Sequence, residues 1–247
     1  MVVNAFFQNY RLSIELAYTL LVVITCLIIY YRCKKLHDLT YYKGILYFQD
    51  AFLWFSIAYV CRFAAVYVAM NDSLTFGFDL FDYSTSAHTI FLSLFLFFLS
   101  LAGFFLVYSL VWKDFEEETA KTSEGFYSRL FNGRSYLLYG IALIIVLSVL
   151  LFNSPTILYI SQLGVIGYAV LLTYNKYVSS SKNNKHNFMQ LYFIAMILAF
   201  IAYLTNFLSD FIYPLYPAIL LYADVVTLLI FIIFLYGILK VTGNKNV

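Results

Sequence analysis

The sequence predicts an all-α integral membrane protein, a single seven-transmembrane-helix bundle over residues 1–247. Three observations carry that reading. The 247 residues are 63% hydrophobic and 11% charged, with a mean hydropathy of +0.84. Soluble domains run at about 45–50% apolar and roughly 25% charged, so this chain has too few charges to clothe a water-exposed surface. Its apolar residues fall into seven runs close to the ~20 residues a helix needs to cross a bilayer. Its basic residues are segregated by loop, as membrane orientation requires. A soluble enzyme, a nucleic-acid-binding domain and a disordered tail are excluded. A β-barrel is excluded too, because the runs are continuous and helix-length rather than alternating and strand-length.

The first span covers residues 13–31 and ends in Tyr30 and Tyr31. The second, 44–70, has ionisable residues inside it, Asp50 and Arg62. The third, 88–112, is the most apolar. The fourth, 135–152, and the fifth, 156–174, are separated by Asn153, Ser154 and Pro155, a turn signal with a proline that a helix interior does not tolerate. The sixth, 188–212, and seventh, 217–240, are parted in the same way by Pro214 and Pro217.

Thirteen of the fifteen Lys and Arg residues fall in segments on one side: after spans one, three and five, and in the tail. Arg11 stands alone on the other side, and Arg62 lies inside span two. That bias places the basic loops in the cytoplasm, the N-terminus outside and the C-terminus inside. An odd span count requires opposite ends, so count and charge agree. The expected localisation is the cell membrane, as a multi-pass protein.

No cleavable signal peptide is expected, since Asn4, Gln8 and Arg11 precede the first apolar run. The outer segment 71–87 carries three aspartates and no basic residue, and Asn71-Asp72-Ser73 matches a glycosylation acceptor. The inner run Glu116 to Glu118 reads as solvated surface, with partner docking as the alternative. Cys26, Cys33 and Cys61 lie in no outer segment, so an external disulfide is not expected. Cys33 is an inert thiol or, alternatively, an acylation site.

An internal repeat is suggested by Ile57 to Phe63 and Ile201 to Phe207, which share Ile-Ala-Tyr and a terminal Phe. It implies a 3+1+3 parallel repeat joined by span four, with sites at the interface between the repeats. Coincidence among apolar helices is the competing explanation.

Ionisable groups inside spans are costly, and each marks a site by default. Arg62 and Asp224 both lie about 10–12 Å below the outer boundary at 1.5 Å per residue, and they form the natural ion pair. Asn206 occupies the repeat position of Arg62, Asp210 follows it by one turn, and His88 opens span three. Arg62, His88, Asn206, Asp210 and Asp224 therefore form a candidate ligand-binding cluster near the outer face, with Arg62 as anion anchor. The alternative is an Arg62–Asp224 pair that only fixes helix packing. Glu15, at the outer edge of span one, reads as solvated. A second polar set, Gln49, Asp50 and Gln190, lies nearer the cytoplasm and is a candidate ion or proton pathway. Asp50 has Lys43 as its alternative partner.

No zinc-ligand spacing, serine-hydrolase motif or phosphate loop occurs in the sequence, so no metal, cofactor or catalytic residue is expected and the protein reads as non-enzymatic. The topology resembles the microbial-rhodopsin, SWEET/PQ-loop sugar-transporter and receptor architectures. A rhodopsin likeness would imply a retinal-binding lysine four residues after an aspartate in span seven. Here Leu228 stands four after Asp224, so no retinal is expected. The Pro-Gln pair of PQ-loop proteins and the acidic-Arg-Tyr signature of animal receptors are also missing. Tyr42 to Phe48, with Ala51 to Leu53, looks like spans of uncharacterised prokaryotic, archaeal seven-helix proteins.

The expected function is that of a receptor-like or sensor protein binding a small ligand or membrane partner near its outer face. The alternative is a small transporter or ion pathway with polar sites near both faces. The expected partners are the lipid bilayer, that ligand and a second copy of the chain, with no nucleic acid.

Overall fold

A computed structural model describes residues 2–72, 86–115, 133–152, 156–180, 186–212 and 219–243. Among the described residues there are seven helices and no strands: α1 (Val2–Thr40), α2 (Lys43–Asp72), α3 (Ser86–Phe115), α4 (Gly133–Phe152), α5 (Thr156–Ser180), α6 (His186–Ile212) and α7 (Ile219–Gly243). Four stretches are long and apolar enough to cross a membrane: Ser13–Thr40, Lys43–Val68, Ala87–Val111 and Ile157–Val178. Tyr136–Phe152 and Gln190–Thr205 are shorter apolar helices. The chain is thus an all-helical protein with the composition of a membrane protein. The proline turns, the acidic run and the side chains of the glycosylation tripeptide lie outside the described residues.

Helices extend past the apolar runs that announce them. The first apolar run stops at residue 31, where a polar flank begins, yet α1 continues to Thr40. Hydropathy ends where water begins, whereas a helix ends where its backbone finds a cap. The cap here is Tyr41, in the left-handed region at φ 52°. Its N–H donates to the His37 carbonyl at 2.7 Å, the single 5→1 bond of an αL helix terminus. His37 Nδ1 also lies 3.2 Å from the Tyr42 carbonyl. Only Tyr41 and Tyr42 separate α1 from α2, so the two helices form a tight hairpin.

Each helix packs on the next in the circuit α1, α2, α3, α5, α6, α7, and α7 returns to α1. α4 packs on α3 and α5, outside this circuit. The core is aromatic at its centre. Phe52 packs on Phe231 and Phe234, and Phe48 on Tyr192 and Phe234, with ring centroids 4.8–6.1 Å apart among Phe48, Phe52 and these partners. Those separations suit the edge-to-face preference of aromatic quadrupoles. Tyr47 and Trp54 pack against α3 through Phe105, Tyr108 and Phe98. Ala51, Ala58 and Ala65, fully buried at seven-residue intervals, share that face. Small residues there let two backbones approach closely, as van der Waals packing in lipid demands. Many of these rings thus serve as packing, while Tyr31, Tyr41, Tyr42, Tyr67, Tyr136 and Tyr236 are among the exposed tyrosines.

Hydroxyls within the helices mostly fold back on their own backbone. Thr25 donates to Leu21, Thr173 to Ala169 and Ser148 to Ile144, each at 2.6–2.8 Å. Such bonds satisfy a hydroxyl within its own helix. Other bonds cross between helices. Gln162 Nε2 of α5 donates to Ser100 Oγ of α3 at 3.1 Å, both residues being buried. Gln162 Oε1 comes so near the Gly103 backbone that a Cβ there would lie 2.9 Å from it. Lys176 of α5 also donates to the Leu110 carbonyl of α3.

Candidate functional site

Arg62 sits on α2 with Tyr59 one turn before it, and Glu15 sits on α1 with Tyr18 one turn after it. Residues three apart share a helix face, so the α1–α2 hairpin brings two charged-and-tyrosine pairs together. Arg62 Nη1 donates to Asp224 Oδ1 at 2.9 Å, and Nη2 donates to Asp224 Oδ2 at 3.0 Å. Nη2 also donates to Glu15 Oε2 at 3.2 Å, and Nε lies 2.8 Å from Glu15 Oε1. The planar guanidinium thus forks onto Asp224 with its end, the geometry that lysine lacks, and meets Glu15 with its side through one hydrogen bond and one close ionic contact.

Aromatic rings complete the cluster. The guanidinium carbon lies 5.0 Å from the Tyr18 ring centre and 5.9 Å from that of Tyr59, within range of cation–π attraction. The two rings meet edge-on at 5.7 Å, and the Tyr18 hydroxyl donates to that of Tyr59 at 3.4 Å. The side chains of Arg62, Glu15 and Asp224 are 16%, 13% and 27% exposed. The charges are neither sealed in the core nor fully in solvent.

The predicted pair of Arg62 and Asp224 is present. Glu15 is not the solvated residue the sequence suggested: it is the second carboxylate on Arg62. The sequence placed it at the edge of its span, where solvation is the ordinary fate, but the hairpin lays that edge beside Arg62. Glu15-x-x-Tyr18 and Tyr59-x-x-Arg62 are the signals that reveal it, since each pair shares a face.

His88, read as opening span three at the outer edge, is fully buried near the start of α3, which packs on α2, α4 and α5. Asn206 and Asp210 have side chains outside the described residues. Of the inner set, Gln49 and Asp50 are buried at 2% and 1% exposure on α2. Asp50 lies within electrostatic reach of Tyr139 on α4, and Trp54, one turn further along α2, packs its ring against Tyr139. Gln190 is exposed near the start of α6 and is not buried with them. Cys26 and Cys33 are fully buried free thiols, so burial supports the inert reading of Cys33 over acylation. The Gln162–Ser100 pair was not foreseen, because a glutamine inside an apolar helix declares no partner.

Among the described residues no group of three or more His, Cys, Asp or Glu side chains is placed to hold a metal ion. No family model matches this sequence, and no solved structure matches it. A protein of Archaeoglobus fulgidus described as "Uncharacterized protein" is similar, at 24% identity over 190 residues, covering 70% of this chain and 71% of that protein. The likeness is to an archaeal protein, as the segment around Tyr42 to Leu53 suggested. It carries no activity with it.

Proposed function

We propose that this chain is a receptor-like or sensor protein of the cell membrane that performs no catalysis of its own. In this reading all seven helices span the bilayer, with the N-terminus outside and the C-terminus in the cytoplasm, on the strength of the basic-residue bias. The packing circuit that leaves α4 aside supports a 3+1+3 organisation. A small ligand or membrane partner engages the Arg62 cluster near the outer face, and repacking of the helices it joins carries the event to the inner loops. His88, Asn206 and Asp210 complete the ligand-facing set. No retinal or other cofactor takes part, and the bilayer and a second copy of the chain are its structural partners.

One observation carries the proposal. Arg62 ties α1, α2 and α7 together through charged contacts that remain partly exposed. A ligand that competes for any of these contacts changes how three helices pack, which is the differential interaction a conformational response needs. The test is binding of a panel of small amines, amino acids and carboxylates to the full chain in lipid nanodiscs. Saturable binding that is lost in Arg62→Met supports the reading, provided the variant keeps one cooperative unfolding transition. Binding indifferent to Arg62→Met, or none across the panel, refutes it.

A second reading, a small transporter or ion pathway, rests on the buried Gln49 and Asp50 of α2, with Gln190 nearer the cytoplasm. Buried ionisable groups within spans mark ion and proton routes. Ion flux into liposomes that falls in Asp50→Asn supports it. Flux that is absent or unchanged counts against it.

A further inference from the structure

The two edges of the Arg62 guanidinium are held unequally. At the end edge, Nη1 and Nη2 each donate to a separate oxygen of Asp224, at 2.9 and 3.0 Å. That is the aligned bidentate fork, which adds directional energy to charge. At the side edge, Nη2 makes one longer bond to Glu15 Oε2, at 3.2 Å. Nε and Glu15 Oε1 lie 2.8 Å apart, yet they are poorly aligned: both are buried atoms and neither makes a hydrogen bond. Such a contact keeps its charge attraction and forfeits the directional part. A buried donor and a buried acceptor left unmatched carry their desolvation penalty uncompensated.

Glu15 is tethered to α1, and the register of the hairpin sets the angle at which it meets Arg62. An untethered carboxylate has no such constraint. It can lie in the guanidinium plane and accept from Nε and Nη2 together, as Asp224 does at the other edge. Glu15 also has somewhere to go. It is the third residue of the apolar stretch Ser13–Thr40, and Ser13, Ile14, Leu16 and Ala17 around it are exposed. A change of rotamer carries its carboxylate toward that open surface and vacates the volume it fills beside Nε. Asp224 is the more exposed acid, 27% against 13%, but a competitor there must replace two aligned bonds rather than one. Alignment, not exposure, decides which carboxylate yields.

We infer that Glu15 is the displaceable arm of the cluster, and that the ligand is a carboxylate that takes its place on the Nε–Nη2 edge of Arg62 while the Asp224 fork is kept. The inference rests on the ligand-binding reading above and names both the ligand class and the contact that yields. Binding cuts the Glu15 tie between α1 and Arg62 and leaves α2 joined to α7, which is a change in helix packing of the kind a response needs. The carboxylate has two possible sources, a small water-soluble acid or a fatty acid in the bilayer, and the probes below separate them.

The test is calorimetric titration of the full chain in phosphatidylcholine nanodiscs with acetate, decanoate and ethylammonium at constant ionic strength, with empty nanodiscs as the reference. Saturable carboxylate binding is expected: acetate binding marks an aqueous source, and decanoate binding without acetate marks a lipid-borne one. Displacement has a sign that an ordinary ligand contact lacks, since removing the competitor strengthens binding. Glu15→Gln should tighten carboxylate binding by about tenfold or more, the worth of a hydrogen bond to a charged group. Glu15→Asp keeps the charge but draws it back by one methylene, and should tighten binding by about threefold. Glu15→Gln decides where it keeps one cooperative unfolding transition, and Glu15→Asp decides otherwise. Carboxylate binding that is unchanged or weakened in the deciding variant overturns the displacement. Binding of ethylammonium alone overturns the carboxylate class while leaving a ligand-binding cluster. No binding of any probe to the wild type or to either variant overturns the inference as well, and that outcome together with a silent broader panel ends the ligand-binding reading.

Discussion

Replacing Arg62 with methionine keeps a stem of similar length and removes the charge that two carboxylates share. Three hydrogen bonds and a fourth close ionic contact disappear. Breaking a buried ion pair by deleting one partner costs about 3–5 kcal/mol, because the remaining charge stays behind unpaired. Exposures of 13% and 27% for Glu15 and Asp224 let water relieve part of that, which favours the lower end, about 3 kcal/mol. At 1.4 kcal/mol per tenfold, that shifts the unfolding equilibrium by roughly 100-fold. The triple variant Arg62→Met, Glu15→Gln, Asp224→Asn leaves no unpaired charge. Its loss should be about 1.5 kcal/mol or less, so two further substitutions should restore stability. Trp54, stacked on Phe98 at 5.4 Å, gives a fluorescence signal for denaturant titration in mixed micelles. A triple variant at least as unstable as Arg62→Met would show that orphaned charge is not the source of the loss, and the electrostatic account of the cluster would fall.

Gly103→Ala places a methyl 2.9 Å from Gln162 Oε1, the far end of a flexible side chain, so the amide should swing aside at a net cost of about 1 kcal/mol or less; thermal unfolding of Gly103→Ala with and without Gln162→Ala checks it. Phe52→Ala empties a fully buried aromatic site and should cost about 3–5 kcal/mol, measured the same way. Tyr41→Gly removes the strain of a left-handed non-glycine residue, worth about 1–2 kcal/mol per residue, so a small rise in midpoint temperature is expected. With a small membrane-permeant thiol reagent, mass spectrometry should find Cys61 modified well before Cys26 and Cys33, which are fully buried.

The helices were legible because hydrophobic length is a strong constraint. In a bilayer every backbone polar group must be satisfied within the segment. Helix ends were less legible, as α1 shows: its cap is a tyrosine in a conformation that glycine or asparagine usually fills, and nothing in the local sequence announces it. The Arg62–Asp224 pair was readable because two opposite charges set inside apolar runs have few other partners. Glu15 was misread because its span position suggests solvent, and only the tertiary hairpin brings it to Arg62. His88 does lie near the start of its helix, and its burial follows from the packing of α3, which sequence position does not carry. Gln162 and Gly103 escaped because the signal is a contact between α3 and α5 that no single-helix pattern carries.

The order in which the two acids are synthesised gives the cluster a history. Glu15 is 47 residues from Arg62, on the other arm of the same hairpin, while Asp224 follows 162 residues later. At about 5–20 residues per second, the ribosome needs roughly 8–30 s to make that interval. Throughout it, Glu15 is the counter-ion within reach of Arg62. The late carboxylate on α7 then finds an arginine already matched. Its arrival closes the circuit of helices and gives Arg62 its second carboxylate.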